Sequence, residues 1–121
     1  MMDWSQIKFF TRREFGEGDP GVEPCHRLVS MLDQARRMAG FPFIVNSGLR
    51  TTERNRQVGG SPTSSHLTGH AADLACTDSG RRFIMLSALR RAGFTRIGIG
   101  RTFIHCDTDP TKPDSLIWLY D

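Results

Sequence analysis

The stretch Phe94-Thr95-Arg96-Ile97-Gly98-Ile99-Gly100-Arg101-Thr102-Phe103-Ile104-His105-Cys106-Asp107 decides how the chain is read. Branched and aromatic residues recur on both sides of Gly100-Arg101, and glycine first in a two-residue connection is the signature of a type II′ hairpin. In that register Ile97 lies opposite Ile104. Alternation along the second strand sends Phe103, His105 and Asp107 to one face, and Ile104 and Cys106 to the other. One face can enter a core while the other carries polar chemistry.

Downstream, Pro110 and Pro113 end that strand, and Leu116 to Tyr120 reads as a final strand, at an edge or in the core. Upstream, His70-Ala71-Ala72-Asp73-Leu74-Ala75-Cys76 has strand character. A helix follows it, capped by Asp78 or Ser79, with Phe83, Leu86 and Leu89 facing inward and Gly93 stopping it. Near the start, Leu28, Leu32, Ala35 and Ala39 form one apolar helical stripe. With Pro24 in the first turn and Gly40 after the last, this predicts a helix from Glu23 to Ala39. Phe43, Ile44 and Val45 predict a short buried strand closed by Asn46, Ser47 and Gly48. From Leu49 to Gly69 the chain is polar and broken by Gly59-Gly60-Ser61-Pro62, which predicts mostly loop with a helical turn near Glu53. Irregular stretches of about 20 residues are uncommon in a compact domain without a functional reason. The sum is an α+β fold with a small, mainly antiparallel sheet and flanking helices.

The chain has 121 residues, 38% of them hydrophobic and 24% charged, which fits one domain over residues 1–121 and leaves no room for a second. Its longest apolar run, Leu116 to Tyr120, is far short of the about 20 residues that cross a bilayer, so no membrane insertion is expected. The first residues lack the apolar core of a secretory signal, which predicts synthesis and retention in the cytoplasm unless another route delivers the protein. Cys25, Cys76 and Cys106 are odd in number and lack close pairing, so neither a disulfide framework nor a thiolate zinc knuckle is indicated. The net charge of +3 comes from scattered arginine pairs such as Arg36-Arg37 and Arg90-Arg91. Without basic and aromatic interleaving, it does not call for a nucleic-acid partner. A monomer is expected.

Four histidines occur: His26, His66, His70 and His105. His66 and His105 with Asp73 make a set of two imidazoles and one carboxylate, which zinc accepts while keeping a position for water. Metal-assisted hydrolysis is the corresponding chemistry, and a hydrogen-bonded structural histidine is the alternative at each position taken alone. On an extended strand His70 and Asp73 point to opposite faces, so His70 is not expected to be a ligand. His26, near a helix start, reads as structural.

The run Ser64-Ser65-His66-Leu67-Thr68-Gly69-His70-Ala71-Ala72-Asp73 resembles the S-x-H-x-x-G-x-A-x-D signature of the zinc D-alanyl-D-alanine peptidase family, whose fold is shared by the metal-binding domain of hedgehog proteins. Ser47-Gly48-Leu49-Arg50-Thr51 is similar to that family's SG[YF]R[TS] motif. Asn55 with Val58-Gly59-Gly60 resembles its N-x-x-V-G-G loop, and Phe103 to Asp107 its F-[IV]-H-x-D closing strand. The resemblance runs from Phe9 to about Thr108. It implies one zinc ion held by His66, Asp73 and His105, and hydrolysis of peptide bonds in the stems or cross-links of bacterial peptidoglycan. Carboxypeptidase and endopeptidase action both remain open, as does a non-catalytic zinc-containing wall-binding or partner-binding module. A small catalytic domain of this kind suits a phage or prophage lysis gene acting at the cell wall. Asp107 is expected to accept the water's proton, or else to orient a ligand. Relatives that place an acid three residues before the last histidine, or a histidine two before it, differ from this chain, which has Thr102 and Phe103 there. Arg50 is expected to hold a substrate carboxylate or a developing oxyanion. Ser64 and Gln57 are further candidates for substrate contact.

Overall fold

The computed structural model describes residues 3–120. Two short 3₁₀ turns, Trp4–Gln6 and Arg12–Phe15, lead into α1 (His26–Ala39). Next come β1 (Val45–Ser47), α2 (Thr52–Gln57), β2 (Ala71–Ala75), α3 (Ser79–Ala92), β3 (Arg96–Ile99), β4 (Phe103–Asp107) and β5 (Leu116–Leu119). The sheet order is β1-β2-β4-β3-β5. All neighbours are antiparallel except β3 and β5, which run parallel. The α+β expectation, with its mainly antiparallel sheet, therefore stands.

Helices α1 and α3 pack together against one face of the sheet. Leu28, Val29 and Leu32 from α1 and Met85 and Leu89 from α3 bury with Ala72, Leu74, Ile97, Ile104 and Cys106 from the strands. Both helices end as expected, with Gly40 (φ 80°) and Gly93 (φ 112°) in the left-handed region that favours glycine at a helix C-terminus. Asp78 caps α3 by accepting from the Arg81 amide. Strand alternation leaves Asp73, His105 and Asp107 on the opposite face, where they line a cleft.

Four expectations need correction. The hairpin pairs Ile97 with Cys106 and Ile99 with Ile104, not Ile97 with Ile104. The Gly100 amide bonds the Phe103 carbonyl, so Arg101-Thr102 form the connection. This two-residue shift keeps every side chain on its expected face. Gly100 serves close approach, since a Cβ there would sit 2.2 Å from the Phe103 ring. Second, the first strand is Val45–Ser47, displaced towards the chain's C-terminus, and Ile44 is 63% exposed while Phe43 is buried. Third, Phe83 is 73% exposed. The inward stripe of α3 is Met85, Ala88 and Leu89, and a residue two before Met85 lies about 200° around the helix. Fourth, α1 begins at His26, after Pro24 and an N-cap at Cys25.

The polar stretch from Leu49 to Gly69 is anchored at both ends. Thr51 caps α2 by accepting from the Arg54 amide, the Leu49 amide bonds the Phe15 carbonyl, and the Arg50 amide bonds the His66 carbonyl. A region without periodicity is thus held against the sheet by specific hydrogen bonds.

Candidate metal centre

Cross-strand register builds the centre. On β2 and β4, Asp73 pairs with His105, and His105 in turn faces Gly98 of β3, which faces Trp118 of β5. One row therefore crosses the open face of the sheet as carboxylate, imidazole, glycine and indole. His66 joins from the loop before β2. Its Nδ1–H donates to the Gly48 carbonyl at 2.7 Å, which turns Nε2 towards Asp73. The Asp73 Oδ1 atom then lies 3.4 Å from His66 Nε2 and 2.8 Å from His105 Nδ1. One donor atom from each of these three residues falls within 4.8 Å of the other two.

The donor set fits a tetrahedral ion. Bonds of about 2.0–2.1 Å imply donors roughly 3.3 Å apart; the two pairs that share Asp73 Oδ1 lie at 3.4 and 2.8 Å, and all three donors fall within 4.8 Å. Each imidazole also has its second nitrogen engaged, His66 Nδ1 with the Gly48 carbonyl and His105 Nε2 with Asp107 Oδ2 at 2.8 Å. Metal-binding histidines characteristically show this arrangement, because the outer acceptor fixes the tautomer and aims the inner lone pair. Burial disfavours the Asp73 carboxylate, yet contacts with His105 and His66 outweigh it and hold its pKa well below the ordinary range. Burial likewise opposes a charge on His105, while Asp107 and Asp73 outweigh that effect and raise its pKa.

Asp107 is placed differently from a residue facing the reaction. Its side chain is 1% exposed. One oxygen accepts from His105, and the other from Arg96 Nε at 2.7 Å and from the Asp109 amide at 3.2 Å. These partners overcome the effect of burial and keep its pKa lowered. Asp107 lies on the far side of His105 from Asp73, with two donors on Oδ1 and one on Oδ2. Asp107 borders the cleft and holds His105 Nε2 at 2.8 Å, the contact through which it can orient a ligand.

Arg50 borders the cleft. Its guanidinium lies 3.7 Å from Asp73 Oδ2 and donates to Asn55 Oδ1 at 3.2 Å. Asn55 is buried and donates onward to the Ser61 carbonyl, so it holds both the arginine and the glycine loop. Gly60 makes this possible, since a Cβ there would fall 2.1 Å from Asn55 Oδ1. Ser64 borders the same cleft and accepts from the His66 amide. Gln57 does not reach it; the residue is exposed at the end of α2, beside Arg54. His70 bonds Thr68, and neither it nor His26 joins the donor cluster. Cys106 is fully buried on the core face, and burial drives its thiol pKa up.

Several cleft residues escaped the sequence reading. Arg96, Lys112, Trp118 and Tyr120 all border this opening of about 400 Å³. Trp118 and Tyr120 lie 5.6 and 6.3 Å from the His105 ring, across Gly98, where any Cβ would strike both side chains. Strand alternation on Leu116 to Tyr120 could have found the two aromatics once β5 was placed beside β3. Lys112 donates to Ser65 Oγ at 2.8 Å, and Ser65 donates to Asp109 at 2.7 Å. No local motif marks that triad.

The Peptidase M15 family profile matches residues 10–107, which include all three donors. The chain belongs to the peptidase M15 family. This M15 domain is 44% identical over 86 residues to the zinc D-Ala-D-Ala carboxypeptidase of Streptomyces albus G, covering 68% of this chain. It spans 33% of that protein's length. The crystal structure of the L-Ala D-Glu endopeptidase ChiX of Serratia marcescens is similar at a TM-score of 0.58 and 26% identity. That match covers 88% of this chain and 96% of the endopeptidase.

Proposed function

We propose that this M15 domain is a zinc-dependent peptidase that hydrolyses peptide bonds in peptidoglycan stems or cross-links. The observation that carries the reading is the convergence of His66, Asp73 and His105, each imidazole locked by an acceptor on its outer nitrogen. The relatives' names supply the class of bond, D-Ala-D-Ala or L-Ala-D-Glu. His66, Asp73 and His105 would hold the zinc ion, which would supply Lewis acidity towards a peptide carbonyl and a water.

The chain's own residues do the rest. Arg50, steadied by Asn55, offers its remaining guanidinium protons to a substrate carboxylate or to the carbonyl oxygen as it gains charge. Ser64 lies where its hydroxyl can touch the peptide. Asp107 holds His105 in the tautomer that aims Nδ1 inward. Around the opening Arg50, Arg96 and Lys112 stand against the carboxylates of Asp73 and Asp107, a slight cationic excess that suits a stem peptide bearing free carboxylates. Trp118 and Tyr120 give it an apolar wall on the other side. The setting we propose is the bacterial cell wall, with the domain acting as a monomer in lysis of the kind a phage or prophage enzyme performs. Among the described residues no helix is long and apolar enough to cross a membrane.

One observation favours a second reading, a zinc-bearing module that binds the wall polymer without cutting it. Among the described residues the cleft's carboxylates are Asp73 and Asp107, and both are committed to other partners. The deciding experiment incubates zinc-loaded protein with purified muropeptides and reads the products by mass spectrometry. New amine termini or released D-alanine, lost in His66→Ala, support the peptidase. Retention on the polymer by both proteins, with no cleavage by either, supports the module.

A further inference from the structure

We propose that Arg96 is a positioning residue for the metal centre, acting through Asp107 and His105, and that it ties the segment following the family-matched region to that centre. The inference rests on the metal reading above. Arg96 is buried at 9% exposure, and its partners lie on three separate parts of the chain. Its Nε donates to Asp107 Oδ1 on β4, an Nη donates to the Pro113 carbonyl in the connection to β5, and its guanidinium carbon lies 5.0 Å from the Trp118 ring centroid on β5. From Asp107 the path continues through Oδ2 to His105 Nε2 at 2.8 Å, and His105 Nδ1 faces Asp73 at 2.8 Å.

Physical chemistry gives each link a task. A buried carboxylate stays charged only when paired, and Arg96 provides the opposing charge with a directed N–H. The Asp107 carboxylate so fixed accepts from His105 Nε2–H, which leaves the Nδ1 lone pair for the ion. Pro113 and Trp118 both lie outside the matched residues 10–107, and the same guanidinium reaches them. Through it, the indole that walls the cleft is set in register with the imidazole it faces at 5.6 Å. Lysine cannot replace this function, because an ammonium is a point charge and not a planar fork that serves a carboxylate, a carbonyl and a ring face together.

The test is a double-mutant cycle on zinc affinity, measured by chelator competition with wild type, Arg96→Lys, Asp107→Asn and the double variant. Cobalt(II) absorption serves as a second readout, and circular dichroism of each metal-free protein checks its folding. Asp107→Asn is expected to weaken zinc about 10- to 100-fold and Arg96→Lys about 10-fold. The double variant is expected to be no weaker than Asp107→Asn, with the cobalt spectrum of Arg96→Lys altered. Unchanged affinity in Arg96→Lys, or losses that multiply independently, would overturn the inference while leaving the metal reading intact. Wild type that takes up no zinc overturns both. A readout that needs no variant is the Arg96 Nε–H resonance in wild type, which should shift when zinc is added; a resonance insensitive to zinc counts against the coupling.

Discussion

His105 shows how one side chain is given two distinct ends. Its Nδ1 faces Asp73 and its Nε2 faces Asp107, both at 2.8 Å, so an imidazole on a rigid strand has almost no rotational freedom left. Removing a donor and removing the residue that aims a donor should therefore differ in degree. His66→Ala is expected to abolish measurable zinc uptake at micromolar zinc, whereas Asp107→Asn keeps a weakened site; equal losses from the two substitutions would contradict these roles. Asp109 supports a different prediction. Burial opposes its charge, but hydrogen bonds from Thr111 and Ser65, with Lys112 nearby, lower its pKa to about 2. A folded-state value below the unfolded one stabilises the fold above about pH 4, and that contribution disappears as pH falls towards 2. Urea unfolding between pH 5 and pH 2.5 should show about 1–2 kcal/mol of acid destabilisation that Asp109→Asn lacks; an identical pH slope in the variant refutes the assignment.

At the scale of elements, register does most of the work. Pairing Asp73 with His105 and His105 with Gly98 puts two donors and an unoccupied backbone position in one row, and Trp118 and Tyr120 fold over that position. Gly98→Ala puts a Cβ 2.5 Å from both rings. The aromatic wall must move, so Trp118 fluorescence in a Trp4→Phe background should shift, and KM should rise more than kcat falls. Unaltered emission and KM would show that the wall is not set by Gly98. Much of this was legible beforehand. The strand identities of 71–75 and 103–107, and the faces their residues occupy, follow from alternation, and faces survived a hairpin register wrong by two because the side-chain period is two. Less was legible where no period operates. Arg96 reads as one more arginine of a basic chain, since its meaning comes from partners 11 and 17 positions away. Gln57 looked like a loop residue near the site, but α2 carries it outward. Phe83 was misplaced because hydrophobicity alone cannot say which side of a short helix meets the sheet.

For the whole molecule, the fold separates stability from function by face. Helices and apolar strand positions fill one side of the sheet, and on the other side the polar groups of Asp73, His105, Asp107 and Arg96, buried or half-buried, are paired with one another, a set that a bound ion would complete. Zinc should therefore act as a structural ligand too. At a free concentration 100 times its dissociation constant it adds about 2.7 kcal/mol, so zinc should raise the Tm by roughly 10 °C and a chelator should reverse the gain. A Tm indifferent to both would mean that the three side chains hold no ion. The most direct test of that shared grip is metal content by elemental mass spectrometry on wild type, Asp73→Ala and His105→Ala, each dialysed against micromolar zinc. One equivalent of zinc per wild-type chain, and less than about a tenth in either variant, is the expected result. A wild type without zinc, or variants that keep a full equivalent, would contradict the account.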